Sequence, residues 1–383
     1  MNTHYKIHRL ARLILSSVLL IVLTACAAKS EPTASEELVT SSGFVCPLPN
    51  PPIEFESKKI NIFTWTEYVP ADIFDCFGLV YGVEVNVDYF SSNEELYSKV
   101  SLGADVNPYD VIHPSDYMIG VLIREGLLQE LDMTRLPNEV NLDSNLTAAY
   151  GDANNYIVPY QMGTQAIIYN TETVSTPPTS WADLWNPEYE GRIVAVDDSR
   201  VVIGAALLTL GYDVNDTDPA HLAEAKEKLL ELMPNIRVFD SDSPKTPLVA
   251  GDVDLGIVWN GEAFLTQSED PRFEYVFPEE GSIIFYDGMG ISPTAAHSDA
   301  AYAWFNYLLQ GDTNWLTLVD YPYTNPNKAA LEFAKINHPD VYEPYFASPI
   351  TNTPAEEFAK GHEVIDLGAA LSLYDELWTE IKQ

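Results

Sequence analysis

Between Lys59 and Gly126 the chain alternates short apolar strands with helices three times, and this rhythm limits the fold more than any other feature. In the first strand, Lys59 to Thr64, Ile60, Ile62 and Thr64 share one side. Pro70 then ends any ladder and suits the first turn of a helix over Ala71 to Val80, which Gly82 stops. Val83 to Tyr89 alternates as a second strand, and Ser92 and Glu95 stand at capping-box spacing at the start of a helix reaching Leu102. Tyr109 to His113 reads as the third strand, and Pro114-Ser115-Asp116-Tyr117 turns into a helix ending near Gly126. Strands that alternate with helices build a parallel sheet with right-handed crossovers. Ligand crevices of such sheets lie at the carboxyl ends of the strands, which makes Trp65 and Tyr68, on the first strand-to-helix turn, a candidate ligand wall. A wall of the core is the plain alternative.

Further along, Tyr156 to Tyr160 and Gln165 to Tyr169 read as two strands separated by Gly163, the passage from a first lobe to a second. Trp181 to Asn186 is a short helix halted by Pro187, and the strand Ile193 to Val196 ends in Asp197-Asp198. A helix over Val202 to Leu210 precedes the longest amphipathic one, His221 to Met233, with Leu222, Ala225, Leu229, Leu230 and Met233 on its apolar face. Asp254 to Trp259 is a strand running into Trp259-Asn260-Gly261, another aromatic turn. Phe273 to Phe277 and Ser282 to Tyr286 lead back to the first lobe, and the remainder is mostly helical, ending in Leu367 to Lys382. These spans imply lobe 1 from 58–160 plus 288–383 and lobe 2 from 161–287.

The amino terminus carries Lys6, Arg9 and Arg12, an apolar run from Leu13 to Leu23, and then Leu23-Thr24-Ala25-Cys26. Residues 1–25 are expected to be a secretory signal, because the apolar run is well below the ~18 residues of a membrane span. The Leu-Thr-Ala-Cys run resembles the lipobox of bacterial lipoproteins, which implies a lipid on Cys26 as the first residue of the mature chain. Residues 26–57 are then the anchor and a flexible tether, Ser, Glu, Ala and Thr rich over its first part. With Cys26 assigned to lipid, Cys46 and Cys76 are expected to pair in an oxidising compartment; two small buried thiols are the alternative.

Twenty Lys and Arg against 57 Asp and Glu leave a formal charge of -37, and loss of the three basic residues of the signal takes it near -40. Such a field repels nucleic acid and attracts cations, although solubility or a saline habitat selects acidic surfaces as well. At the predicted turns stand Trp65, Thr66, Tyr68, Ser115, Asp116, Tyr117, Asp198, Ser241, Trp259, Phe285, Asp287 and Tyr323. Rings offer their faces to a cation and carboxylates accept its hydrogens, a chemistry for ammonium groups on an aliphatic chain. The histidines outside the signal, His113, His221, His297, His338 and His362, lack ligand spacing, so no metal is expected. Neither a GxSxG elbow, a Walker loop nor a Cys-His arrangement is present, so no cofactor or catalytic residue is assigned; a hydrolase using the acidic cleft is the weakest reading.

The chain resembles the spermidine/putrescine-binding proteins of bacterial ABC transporters. The resemblance rests on Trp65-Thr66-Glu67-Tyr68-Val69-Pro70, Thr179-Ser180-Trp181-Ala182-Asp183-Leu184-Trp185, Asp197-Asp198-Ser199-Arg200 and Ile257-Val258-Trp259-Asn260-Gly261, and covers Lys59 to the carboxyl terminus. It implies an α/β, two-lobed periplasmic-binding-protein-like fold (type II), each lobe a mostly parallel sheet flanked by helices, with hinge strands between. By matching motif, Trp65, Tyr68, Tyr117, Trp259 and Phe285 would box the ligand. Asp198 and Asp287 would pair with ammonium groups, Thr66, Ser115 and Ser241 would add hydrogen bonds, and Tyr323 would touch the ligand. Phe285 stands where the family has Trp, Val201 where spermidine binders have Glu, and Val364 where they have Gln. Asp116 or Glu262 could supply a lost acceptor, or the ligand could be shorter; for Glu262 a solvated place in the first turn of a helix is the plain reading. The implied partners are a polyamine, the transmembrane subunits of an ABC permease, and a membrane reached through the lipid, with no nucleic acid and a monomeric state. The implied location is outside the cytoplasmic membrane, in the periplasmic space or on the outer membrane face. A polyamine-sensing receptor of the same fold, coupled to a membrane signalling protein, is the alternative.

Overall fold

The structure is a computed structural model that describes residues 37–103 and 107–383. The expected signal and lipidated Cys26 lie outside the described residues. Residues Val39–Gln383 form one compact unit.

Its frame is a single mixed sheet with strand order β2-β1-β3-β9-β4-β7-β5-β6. At one end β1 (Lys59–Trp65) lies parallel to β2 (Glu84–Phe90) and β3 (Val111–Ile112). At the other, β5 (Ile193–Ala195) lies parallel to β6 (Ile236–Phe239) and β7 (Leu255–Trp259). Two long antiparallel strands, β4 (Ile157–Asn170) and β9 (Ile283–Ile291), join these parallel halves. β8 (Phe273–Val276) pairs with β4, and β10 (His362–Glu363) with β9. This is the two-lobed α/β arrangement with crossing strands. Both long strands are buried along their whole length, as strands covered on two faces must be.

The helices of the first half are α1 (Ala71–Tyr81), α2 (Asn93–Val100) and α3 (Asp116–Arg124). Gly82 closes α1 in the left-handed region, φ 64°, and its N–H returns to the carbonyl of Gly78, so the stop signal acts through backbone geometry. The second half adds α4 (Ser199–Thr209), α5 (Pro219–Leu232) and α6 (Asn260–Glu269). The returning chain contributes α7 (Ser298–Leu308) and α8 (Leu371–Ile381).

Four expectations change in the folded chain. The two strands expected on either side of Gly163 are one 14-residue strand. A Cβ on Gly163 would collide with the Asn260 side chain and the Phe285 ring, so the glycine permits close approach and does not break the ladder. Leu230, placed on the apolar face of α5, is exposed; the buried stripe is Leu222, Ala225, Leu229 and Leu232, the correct helical phase. Residues 39–57 of the expected tether lie against the body: Val39 bridges Val45, the amide of Asn50 bonds Gln310, and Phe55 stacks on Phe77. Cys46 and Cys76 are joined as a disulfide, with Cα atoms 5.2 Å apart, which ties this stretch to α1.

The last change concerns the carboxyl terminus, assigned whole to lobe 1 from sequence. Helix α8 packs on α4 and α5 of the other half. Its Tyr374 hydroxyl bonds the carbonyls of Val214 and Asp216, and Lys382 reaches Asp197 at 2.6 Å. Upstream of α8, Asp366 forms an ion pair with Arg124 of α3. The terminal segment therefore touches both halves, a long-range docking that hydrophobic periodicity does not encode.

Candidate ligand-binding site

Where the two halves face each other, the carboxyl ends of β1, β3, β5 and β7 and the middle of β9 enclose a cavity of about 690 Å³, counted to its open mouth. All eleven residues singled out as ligand contacts line it. Trp65, Thr66 and Tyr68 come from the turn after β1, where Glu67 takes a left-handed φ of 49° that re-aims its neighbours. Ser115 and Tyr117 come from the start of α3, Asp198 from the start of α4, Ser241 from the loop after β6, and Trp259 from the end of β7. Phe285 and Asp287 project from the same face of β9, two residues apart, as strand alternation requires.

The rings form a continuous wall. Trp259 meets Phe285 edge-on at 5.5 Å between centroids, Phe285 meets Tyr323 at 5.7 Å, and Tyr323 lies 6.1 Å from Tyr68. Trp65 leans on Phe90 at 4.5 Å. Its indole Nε1 is buried without a hydrogen-bond partner among the described residues, while the Trp259 Nε1 donates to the Ser241 carbonyl at 3.3 Å.

The acids are held by the backbone and by hydroxyls, with few cations near. Asp198 caps α4, its Oδ1 accepting the amides of Arg200 and Val201 at 2.8 and 3.1 Å. The Tyr68 hydroxyl donates to Oδ2 of Asp287 at 2.7 Å, and Oδ1 of Asp287 is buried without a hydrogen-bond partner among the described residues. Burial pushes the Asp287 carboxyl up to about 7 and, with help from Glu94, that of Asp198 up to about 6. Burial also holds Asp116 above the usual carboxylate range, with the charges of Asp287 and Asp198 adding to it.

Arg200 is the one basic side chain in the lining. It lies between the rings of Tyr117 and Tyr374, 5.1 and 4.7 Å from their centroids, and donates to the Ile365 carbonyl and Asn215 Oδ1. Of the two candidates for a substitute acceptor, Asp116 lines the cavity and Glu262 does not. Glu262 is not solvated either: it is 3 % exposed, burial raises its carboxyl to about 7, and Oε2 accepts the amide of Lys245. Asp197 turns away to Lys382, as neighbours on a strand end do. Asn93, Gln165, Arg200 and Asp242 also line the cavity and were not singled out from sequence. Strand parity with Gly163 was the available signal for Gln165, and adjacency to Asp198 the signal for Arg200. No group of three or more His, Cys, Asp or Glu among the described residues could hold a metal ion.

Two α/β halves bridged by long strands, with a cavity of rings and acids between them, define a two-lobed solute-binding protein. The chain belongs to the bacterial extracellular solute-binding protein family, which it matches over residues 73–343. It is 34% identical over 378 residues, 98% of its own length and 99% of the relative's, to spermidine/putrescine-binding periplasmic protein 1 of Haemophilus influenzae. It is 36% identical over 330 residues, 85% of its length and 92% of the relative's, to the spermidine/putrescine-binding periplasmic protein of Escherichia coli. Among solved structures, a putative spermidine/putrescine ABC transporter from Listeria monocytogenes superposes with a TM-score of 0.80 at 31% identity, over 85% of this chain and 99% of that one. No helix among the described residues is long and apolar enough to cross a membrane.

Proposed function

We propose that this protein captures a polyamine, putrescine or spermidine, between its lobes outside the cytoplasmic membrane and delivers it to an ABC permease. The observation that carries the reading is the convergence of six aromatic rings and four acids, Asp116, Asp198, Asp242 and Asp287, on one cavity at the crossing strands. A dibasic chain satisfies both: methylenes pack on the rings, and ammonium groups complete the open acceptor on Asp287. The spermidine/putrescine-binding relatives support the same ligand class. A ligand held by groups from both halves favours the closed form over the open one, which is what a permease needs to distinguish loaded from empty protein. The binding protein acts as a monomer, and a lipid on Cys26 holds it at the membrane.

Calorimetric titration of the body from Ala27 onward against putrescine, spermidine and an uncharged diol of similar length tests the reading. Salt-sensitive binding of an amine without binding of the diol is expected; binding of the diol alone, or of nothing, overturns it. Trp259→Ala is expected to weaken amine binding at least about tenfold, since the ring contributes both apolar cover and a cation-facing surface; wild-type affinity in that variant moves the site elsewhere.

Affinity also depends on pH with a defined sign. An ammonium pairs with ionised carboxylates, and Asp287 and Asp198 of the empty site ionise near 7 and 6. Binding is therefore strongest above pH 7 and falls through the window from 7 to 5, by about tenfold per pH unit for each proton displaced. Equal affinity at pH 8 and pH 5 contradicts this. For the anchor, Cys26→Ala is expected to move the protein from the membrane fraction to the soluble one, and unchanged partition removes the lipid from the account.

A further inference from the structure

Two polar residues of the cavity lack partners that would explain their placement. Gln165, on β4, is 2 % exposed, and its Oε1 is buried without a hydrogen-bond partner among the described residues. It stands on the same face of β4 as Gly163, beside Trp259 across the ladder, so it belongs to the floor of the cavity. An unpartnered amide at such depth costs free energy in the empty protein, and a bound N–H removes that cost. Asp116 is the second. Its Oδ1 accepts the amide of the next residue, Tyr117, at 2.6 Å, and among the described residues it forms no ion pair. Ser115, its neighbour, forms an isolated antiparallel backbone bridge with Asp287, so Asp116 and Asp287 lie at one end of the wall.

The charge of the enclosed part can be counted. With all three acids ionised, as an ammonium partner requires, Asp116, Asp198 and Asp287 supply three carboxylates and Arg200 one guanidinium, which leaves two negative charges. Asp242 stands exposed in the lining, where water and salt screen it. Two ammonium groups neutralise this set. A third would bring an unmatched positive charge into the cavity, beside Arg200 and a wall made apolar by Val201 and Val364, which are 2 and 6 % exposed.

Resting on the polyamine reading, we propose that Asp116 and Gln165 are ligand-contacting, specificity-determining residues that set this cavity for a linear diamine over a triamine. Asp116 supplies the charge that completes a site for two ammonium groups, and Gln165 supplies a neutral acceptor near Trp259.

The test is calorimetry of the parent protein, Asp116→Asn and Gln165→Leu with putrescine, cadaverine and spermidine at one ionic strength, with thermal melts as a check of folding. The parent is expected to bind a diamine at least about tenfold more tightly than spermidine. Asp116→Asn, which keeps the shape and the bond to the Tyr117 amide, is expected to lose at least about tenfold on that diamine. Gln165→Leu is expected to lose about three- to tenfold on the diamine without a lower melting temperature, because an unpartnered amide has left the interior. A parent that prefers spermidine, or two folded variants with parental affinities and ranking, overturns the inference while leaving the polyamine reading intact. A parent that binds none of the three amines sinks the polyamine reading itself.

Discussion

Asp287→Asn is expected to lower polyamine affinity by about a hundredfold, the largest effect of any single change in the cavity. Breaking a desolvated ion pair by removing one partner costs about 3 kcal/mol or more, and 1.4 kcal/mol is tenfold. Asparagine keeps an acceptor for the Tyr68 hydroxyl, which now donates to Oδ2 at 2.7 Å, so shape and packing survive and charge alone is lost. The same change has an opposite effect on the empty protein. In the fold the Asp287 carboxyl keeps its proton up to about 7, because burial disfavours the charge, whereas in the unfolded chain it ionises near its ordinary value of 3.8. Between those values the folded state binds more protons, so the empty protein loses stability as pH rises from 4 to 7. The asparagine variant escapes that loss. It is expected to melt higher than the parent at pH 8 without ligand, by an amount corresponding to roughly 4 kcal/mol, and equally at pH 4. Scanning calorimetry at the two pH values, with and without putrescine, separates the effects. Parental affinity together with a lower melting temperature at pH 8 contradicts both.

The second large effect falls on stability. The Cys46–Cys76 bridge spans a sequence separation of 30, and the loop-entropy relation assigns such a closure about 3 to 4 kcal/mol. Cys46 is 5 % and Cys76 0 % exposed, so the pair sits inside the packing between residues 39–57 and α1. The double variant Cys46→Ala, Cys76→Ala is expected to melt several degrees lower, and a reductant is expected to lower the parent to a similar point and leave the variant unmoved. A parent indifferent to reductant would mean that the packing of this stretch, with Phe55 on Phe77 and Asn50 on Gln310, suffices alone. Amine affinity is expected to stay within about threefold, since neither cysteine lines the cavity.

The cavity was legible where local chemistry marks a turn. Trp65, Tyr68, Ser115, Tyr117, Asp198 and Trp259 each follow a strand with a visible apolar pattern, and strand ends of an open α/β sheet face one crevice. Asp287 and Phe285 were reached by resemblance, because β9 is buried throughout and no alternation marks which of its faces lines the cavity. Gln165 lies on β4, also buried throughout, where strand parity with Gly163 is the single signal the sequence offers for it. Glu262 illustrates the converse: as an acid in the first turn of a helix it reads as solvated, and its burial comes from packing between α6 and the segment at Lys245.

By itself, then, the amino-acid sequence determined the alternation of strands and helices, the caps and stops, the candidate disulfide, the acidic field and the residues at strand ends, because each is a property of a few neighbouring residues. Only the tertiary structure decided that β4 runs unbroken past Gly163, that α8 crosses to the second half, and that Asp116, Gln165 and Arg200 line one cavity with Asp287. Those outcomes depend on register and close approach between segments far apart in the chain, where the choice is made by which side chains fit together and not by the preference of any one stretch.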